Sequence, residues 1–111
     1  MLVSEVIENF KIYINQMVRD SEIPEAVEQL ILFGSYARNE ADIYSDVDVA
    51  VVADETFTRT DKSNLRSYLE AFDKTIEISL FCTNKKKLEQ VTDEFDANYW
   101  IKREGVLLWK K

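Results

Sequence analysis

The chain has no histidine and a single cysteine, Cys82. Without histidine there is no Ser-His-Asp triad, no imidazole general base and no His-ligated zinc. One cysteine excludes an intramolecular disulfide and any cysteine-cluster metal site. Cys82 ends an apolar run and is read as a small core residue rather than a nucleophile. No basic-then-apolar signal pattern opens the chain, and no apolar run approaches membrane-spanning length, so a soluble, cytoplasmic protein without membrane contact is expected. Glycine and proline are scarce, at two and one. They fall where the chain changes course: Pro24 in a connection, Gly34 at a strand end, Gly105 at a helix end.

Acid outweighs base. Lys and Arg number 14 against 21 Asp and Glu, a net charge of −7, and the excess is uneven. Residues 1–84 carry 7 basic and 16 acidic side chains, or −9; residues 85–111 carry 7 and 5, or +2. An acidic surface repels phosphate backbones, so direct nucleic-acid binding is disfavoured. Lys85-Lys86-Lys87 is the one basic patch and is read as a solvated helix start. With 111 residues, 46% of them hydrophobic, the chain builds one domain over 1–111 with no room for a second. An enzyme this short is expected to borrow part of its substrate site from a partner or a second copy, as a homo- or hetero-oligomer.

Hydrophobic periodicity sets the elements. Val3, Ile7, Phe10, Ile14, Met17 and Val18 form one face of a helix ending near Asp20-Ser21. Val27 to Phe33 is a strand. Ser35 to Glu40 is a short helix capped by Ser35, and Asn39 suits a left-handed end. Ala41 to Ser45 is loop, and Val47 to Ala53 is a second strand. Thr60-Asp61 caps a helix that buries Leu65, Tyr68, Leu69 and Phe72. Thr75 to Cys82 is a third strand, with Ile76, Ile78 and Leu80 on one side and Glu77, Ser79 and Phe81 on the other. Thr83-Asn84 caps a last helix running through Leu88, Val91, Phe95 and Tyr99 to about Arg103. Val106 to Trp109 is a short edge strand. The alternation predicts an α/β or α+β domain, helices flanking a small mixed sheet.

Chemistry concentrates in residues 34–48. Gly34-Ser35 closes the apolar run Leu30-Ile31-Leu32-Phe33; after ten intervening residues Asp46-Val47-Asp48 opens the next. A glycine at a strand end allows close approach of backbone to a ligand, and a serine there offers a hydroxyl and an N–H to phosphate. Carboxylates two apart on a strand share a face. Hard oxygen ligands from one or two carboxylates, completed by substrate phosphates, are how proteins commonly hold Mg²⁺. Glu77 is a lone charge in the third strand. If that strand neighbours the second in register, three carboxylates converge, and they repel unless a cation joins them. Two-metal phosphoryl-transfer sites are built from such clusters. The alternative for Glu77 is simple edge exposure. Arg38 has two readings, a phosphate contact or a pair with Glu40 or Asp42. Tyr36 and Tyr44 either stack on a base or cover the core edge. Tyr99, Trp100 and Trp109 are read as ordinary helix and strand packing in preference to a partner surface.

Gly-Ser, ten residues, then Asp-x-Asp resembles the signature of the polymerase-β-like nucleotidyltransferases, and the short length resembles their minimal nucleotidyltransferase (MNT) group. The resemblance runs from the leading helix to Arg103-Glu104-Gly105-Val106. It implies the nucleotidyltransferase fold. It implies triphosphate contacts by Gly34 and Ser35, Mg²⁺ binding by Asp46 and Asp48, and Glu77 as third acid, helping to hold the catalytic metal and to deprotonate the attacking hydroxyl. A two-metal site follows from the same likeness. It further implies transfer of a nucleoside monophosphate, AMP with ATP as substrate, to a hydroxyl, and a partner of the HEPN type, a helical ribonuclease toxin silenced by binding or by modification of a tyrosine. Two positions depart from the pattern: Asn39 where glycine is common, and glutamate at 77 where aspartate is frequent. Three functions stay open: a protein-modifying enzyme, a binding antitoxin without catalysis, and an antibiotic-modifying enzyme.

Overall fold

The computed structural model describes residues 3–42 and 45–111. Nine elements follow in order: α1 (Val3–Arg19), β1 (Val27–Phe33), α2 (Gly34–Ala37), β2 (Val47–Ala53), α3 (Arg59–Glu70), β3 (Ile78–Thr83), α4 (Lys85–Gln90), α5 (Ala97–Glu104) and β4 (Val106–Lys110). The strands form one sheet in the order β3-β2-β1-β4. β1 is antiparallel to both β2 and β4, while β2 and β3 run parallel, joined across α3. This is the small mixed sheet flanked by helices that the alternation predicts.

Period-two burial sorts the sheet into two faces. Leu30 and Leu32, Val47, Val49 and Val51, Ile78 and Leu80, and Leu108 pack with Phe10, Ile14 and Met17 of α1 and Leu65 and Leu69 of α3. The opposite face carries Ile31, Phe33, Asp48, Ala50 and Phe81, with α5 lying on it. A Cβ on Gly105 would stand 2.5 Å from Ile31 Cγ2, so the chain passes from α5 into β4 against β1 with room only for glycine. Thr83 and Asn98, both buried, join β3 to α5 by a hydrogen bond from the Thr83 hydroxyl to Asn98 Oδ1. Among the described residues no helix is long and apolar enough to cross a membrane.

Several local expectations are corrected, most of them by a nearby polar group. The helix expected from 84 to 103 is two. Val91 turns extended, Asp93 Oδ1 accepts the Phe95 N–H at 2.9 Å, and Asp96 caps α5 through the Asn98 N–H. Such side chains offer the backbone an alternative to the helix. Phe95, expected on the buried face, is 91% exposed. α3 starts earlier than Thr60: Thr58 is its cap, in a reciprocal capping box with Asp61. Ser35 caps nothing, since α2 begins at Gly34 with Phe33 in the cap position and no side-chain bond. β3 starts at Ile78, not Thr75, because Asp73 Oδ1 holds the Thr75 N–H and hydroxyl in a turn. Cys82 is exposed. It shares the face of Ile78 and Leu80 but sits at the end of an edge strand, beside Asp54 and the Lys85–Lys87 row, beyond the helical cover. The lysines themselves are solvated, Lys85 pairing with Glu28 at 2.9 Å. Trp109 packs against the core as expected, and Trp100 stays partly open with its indole N–H donated to the Glu94 carbonyl.

Candidate active site

The motif residues meet at one end of the sheet, where β1 stops and β2 and β3 begin. Gly34 leaves β1 with φ +75°, a left-handed angle that glycine adopts without strain. Its missing side chain is also a spatial requirement. A Cβ built there would lie 2.2 Å from Asp48 Oδ2. The Asp48 carboxylate therefore rests against the bare backbone of the turn. Ser35 follows in the single turn of α2, and its carbonyl accepts the Glu40 N–H at 2.8 Å. Asn39, at φ +60°, closes the turn with the left-handed angle expected of it.

Asp48 is central on its face. In register it stands between Phe33 of β1 and Ser79 of β3. Phe33 and Phe81 meet edge to face across β2 on the same face, ring centroids 6.2 Å apart. Burial raises the Asp48 carboxyl above the ordinary carboxylate range; the negative charge of Asp46 raises it further, and the positive charge of Arg38 opposes both. A partly desolvated carboxylate raised further by a neighbouring negative charge is a donor short of positive charge. Hard oxygen donors of this kind fit Mg²⁺.

Glu77 lies just outside β3. The Val47 N–H donates to its carbonyl at 2.8 Å, and continuing the parallel register by one residue places Glu77 beside Asp46. It is exposed and also borders a cleft with Arg66, Glu70 and Lys74. Among the described residues no three acidic side chains stand grouped as ligands of one ion. The pair Asp46 and Asp48 is thus set by side-chain position, and Glu77 is brought near by backbone register.

Arg38 pairs with Glu40 at 3.1 Å and reaches Glu104 at 3.9 Å, so the last turn of α5 borders the site. Tyr36 is buried in the core under the turn, which removes it as a base-stacking group. Tyr44 lies outside the described residues. Phe33, Phe81 and Glu104 escaped the sequence reading as site residues. Strand alternation carries a signal for the two phenylalanines, which share parity with Asp48's face; nothing local marks Glu104.

With this geometry in view, comparison with known proteins is direct. The Nucleotidyltransferase domain family matches residues 11–103, and the chain belongs to that family. A candidate protein adenylyltransferase of Methanocaldococcus jannaschii is 37% identical over 65 residues, 59% of this chain and 61% of that protein. The match therefore spans less than two thirds of the relative's length. Among solved structures, a chain of a toxin–antitoxin complex with AMP-PNP superposes with TM-score 0.62 at 24% identity, covering 91% of this chain and 73% of that one. A chain from a complex of a tri-AMPylated Shewanella oneidensis HEPN toxin with an MNT antitoxin gives TM-score 0.55 at 20% identity, covering 95% and 73%. At these identities the structural likeness establishes the shared fold.

Proposed function

We propose that the chain is a Mg²⁺-dependent adenylyltransferase that moves AMP from ATP to a hydroxyl of a protein, and that its target is a HEPN-type partner for which it serves as antitoxin. The observation that carries this reading is the Asp48 carboxylate seated on the bare Gly34 turn, with the charge of Asp46, just ahead of β2, acting on it. The same turn that must hold a triphosphate abuts the acids that must hold its cation. The adenylyltransferase relative and the AMPylated complex among the fold's neighbours support the choice of AMP and of a protein acceptor.

In this reading Gly34 lets the triphosphate approach the backbone, and Ser35 adds its hydroxyl and N–H. Asp46 and Asp48 would hold Mg²⁺, with Glu77 as third acid beside Asp46. The ion would supply neutralisation of the charge that develops on the phosphates. The acceptor oxygen attacks the α-phosphorus of ATP; a new P–O bond forms as the bond to the leaving pyrophosphate breaks, and the acceptor proton passes to Glu77. Little covalent work falls to the protein: in-line positioning and charge neutralisation supply the rate.

The test mixes the protein with Mg²⁺, ATP and a HEPN-type protein encoded beside it, and reads the partner's intact mass. Added AMP units that vanish with Asp48→Asn are the expected result. No mass gain with any such partner overturns the enzymatic reading. A second reading, a binding antitoxin without catalysis, draws on the net charge of −7, which suits covering a basic RNA-binding face. A stable complex with no mass gain selects it.

A further inference from the structure

At the far end of the sheet from Gly34 and Asp48 lies an open cleft of about 860 Å³. It runs between the end of α1 with its following loop and one stripe of α3, and the ends of β1 and β4 close it below. Its lining is mixed: Val18, Ile23, Pro24, Tyr68 and Trp109 form an apolar side, and Ser21 and Asn64 add polar groups. Val18 and Tyr68 remain 38% and 37% exposed, although both belong to faces that the hydrophobic pattern assigns to the core. The cleft rim is acidic. Asp20, Glu22, Glu25 and Asp61 line it, and among the described residues Lys111 is its one cation, bound to Glu25 at 2.9 Å. Among the described residues Asp20 and Glu22 have no cation at ion-pair distance.

Val18 and Tyr68, left open beside that acidic rim, are anchor points for the apolar side chains of a partner. Their chemistry selects the occupant. A trough with aromatic walls receives side chains spaced at three and four residues along a helix, and the carboxylate rim selects lysines and arginines beside those anchors. We propose that this cleft docks a basic amphipathic segment of a protein partner. Because it lies at the opposite end of the sheet, its occupant leaves the Gly34–Asp48 face open, so the cleft tethers a partner without blocking the acidic site. It serves equally a chain that modifies its partner and one that only holds it.

The experiment uses the full chain carrying Trp100→Phe, so that Trp109 in the cleft wall is the sole tryptophan. A synthetic Leu/Lys amphipathic peptide of about 18 residues, long enough to hold a helix, is titrated in and Trp109 emission followed. A saturable blue shift is expected, absent with the Leu/Glu peptide of the same apolar pattern. Asp20→Asn/Glu22→Gln should weaken binding up to about tenfold, the scale of two exposed ion pairs. Glu55→Gln/Glu89→Gln removes the same charge elsewhere and should leave it unchanged. No shift with the basic peptide, an equal response to the acidic one, or equal weakening by both charge variants would each overturn the proposal.

Discussion

Gly34 and Asp48 compete for one volume: a Cβ at 34 would fall 2.2 Å from Asp48 Oδ2, far inside any tolerated contact. The turn and the acid are thus a single unit, although 14 residues separate them in sequence.

Gly34→Ala is expected to cost about 1–3 kcal/mol from the left-handed φ alone, with a further cost from the clash. Asp48→Ala removes the clashing oxygen but not the strain. The double variant should therefore be less destabilised than the sum of the singles, by a coupling of roughly 0.5–3 kcal/mol for residues in contact. Urea denaturation of the four proteins measures it. Strict additivity would show that the carboxylate does not rest on the turn.

Asp48 gives stability a pH dependence. Its folded carboxyl is raised by burial and then by Asp46, so the folded state binds the proton more tightly than the unfolded chain. Ionisation then costs stability: the cost is absent below the ordinary carboxylate range and appears as pH rises through the folded value. Without divalent cation, Asp48→Asn should melt higher than the wild type at about pH 7 and lose that advantage near pH 3, below the ordinary aspartate value. Mg²⁺ should raise the wild-type Tm and leave the variant's nearly unmoved. Equal shifts in both would remove Asp48 from the metal site.

For transfer itself, Asp46→Asn should reduce AMP incorporation at least about 100-fold, the scale of losing one charge-stabilising group in a transition state. Circular dichroism and Tm should stay close to the wild type, because Asp46 is exposed and lies outside the core. Transfer at the wild-type rate would exclude Asp46 from the site.

Asn98→Ala should destabilise the fold by about 1–3 kcal/mol, leaving the buried Thr83 hydroxyl without its partner. Thr83→Val/Asn98→Leu, which removes both polar groups, should recover part of that loss. Denaturation midpoints decide, and a double variant worse than Asn98→Ala would show that the pair contributes through shape rather than hydrogen bonding.

Local signals in the chain were sufficient where one periodicity or one residue's backbone preference decided the outcome. β1 and β2 appear over Val27–Phe33 and Val47–Ala53 as their apolar runs require, and Asn39 takes its left-handed angle. The same signals misled where a polar side chain competed with the element. Asp93 and Asp96 break the last helix, Asp73 delays β3, and Thr58 rather than Thr60 starts α3. Each involves a bond to backbone two or three residues away, which apolar periodicity does not register. Exposure of Cys82 and Phe95 has a different cause, since burial depends on what covers a strand end or a loop.

The sequence by itself determined the class of fold and the family, and set Asp46 and Asp48 two positions apart after a strand that ends in glycine, because such spacings are local properties of the chain. Only the tertiary structure decided which of them touch. The antiparallel pairing of β1 with β2 sets Phe33 opposite Asp48 and Gly34 under its carboxylate; the parallel pairing of β2 with β3 brings Glu77 beside Asp46. Strand order, the reach of α5's Glu104 to Arg38 and the acidic cleft between α1 and α3 arise from long-range packing. No window of residues encodes a register between strands some 30 positions apart, because that register is settled by burying both faces of the sheet at once.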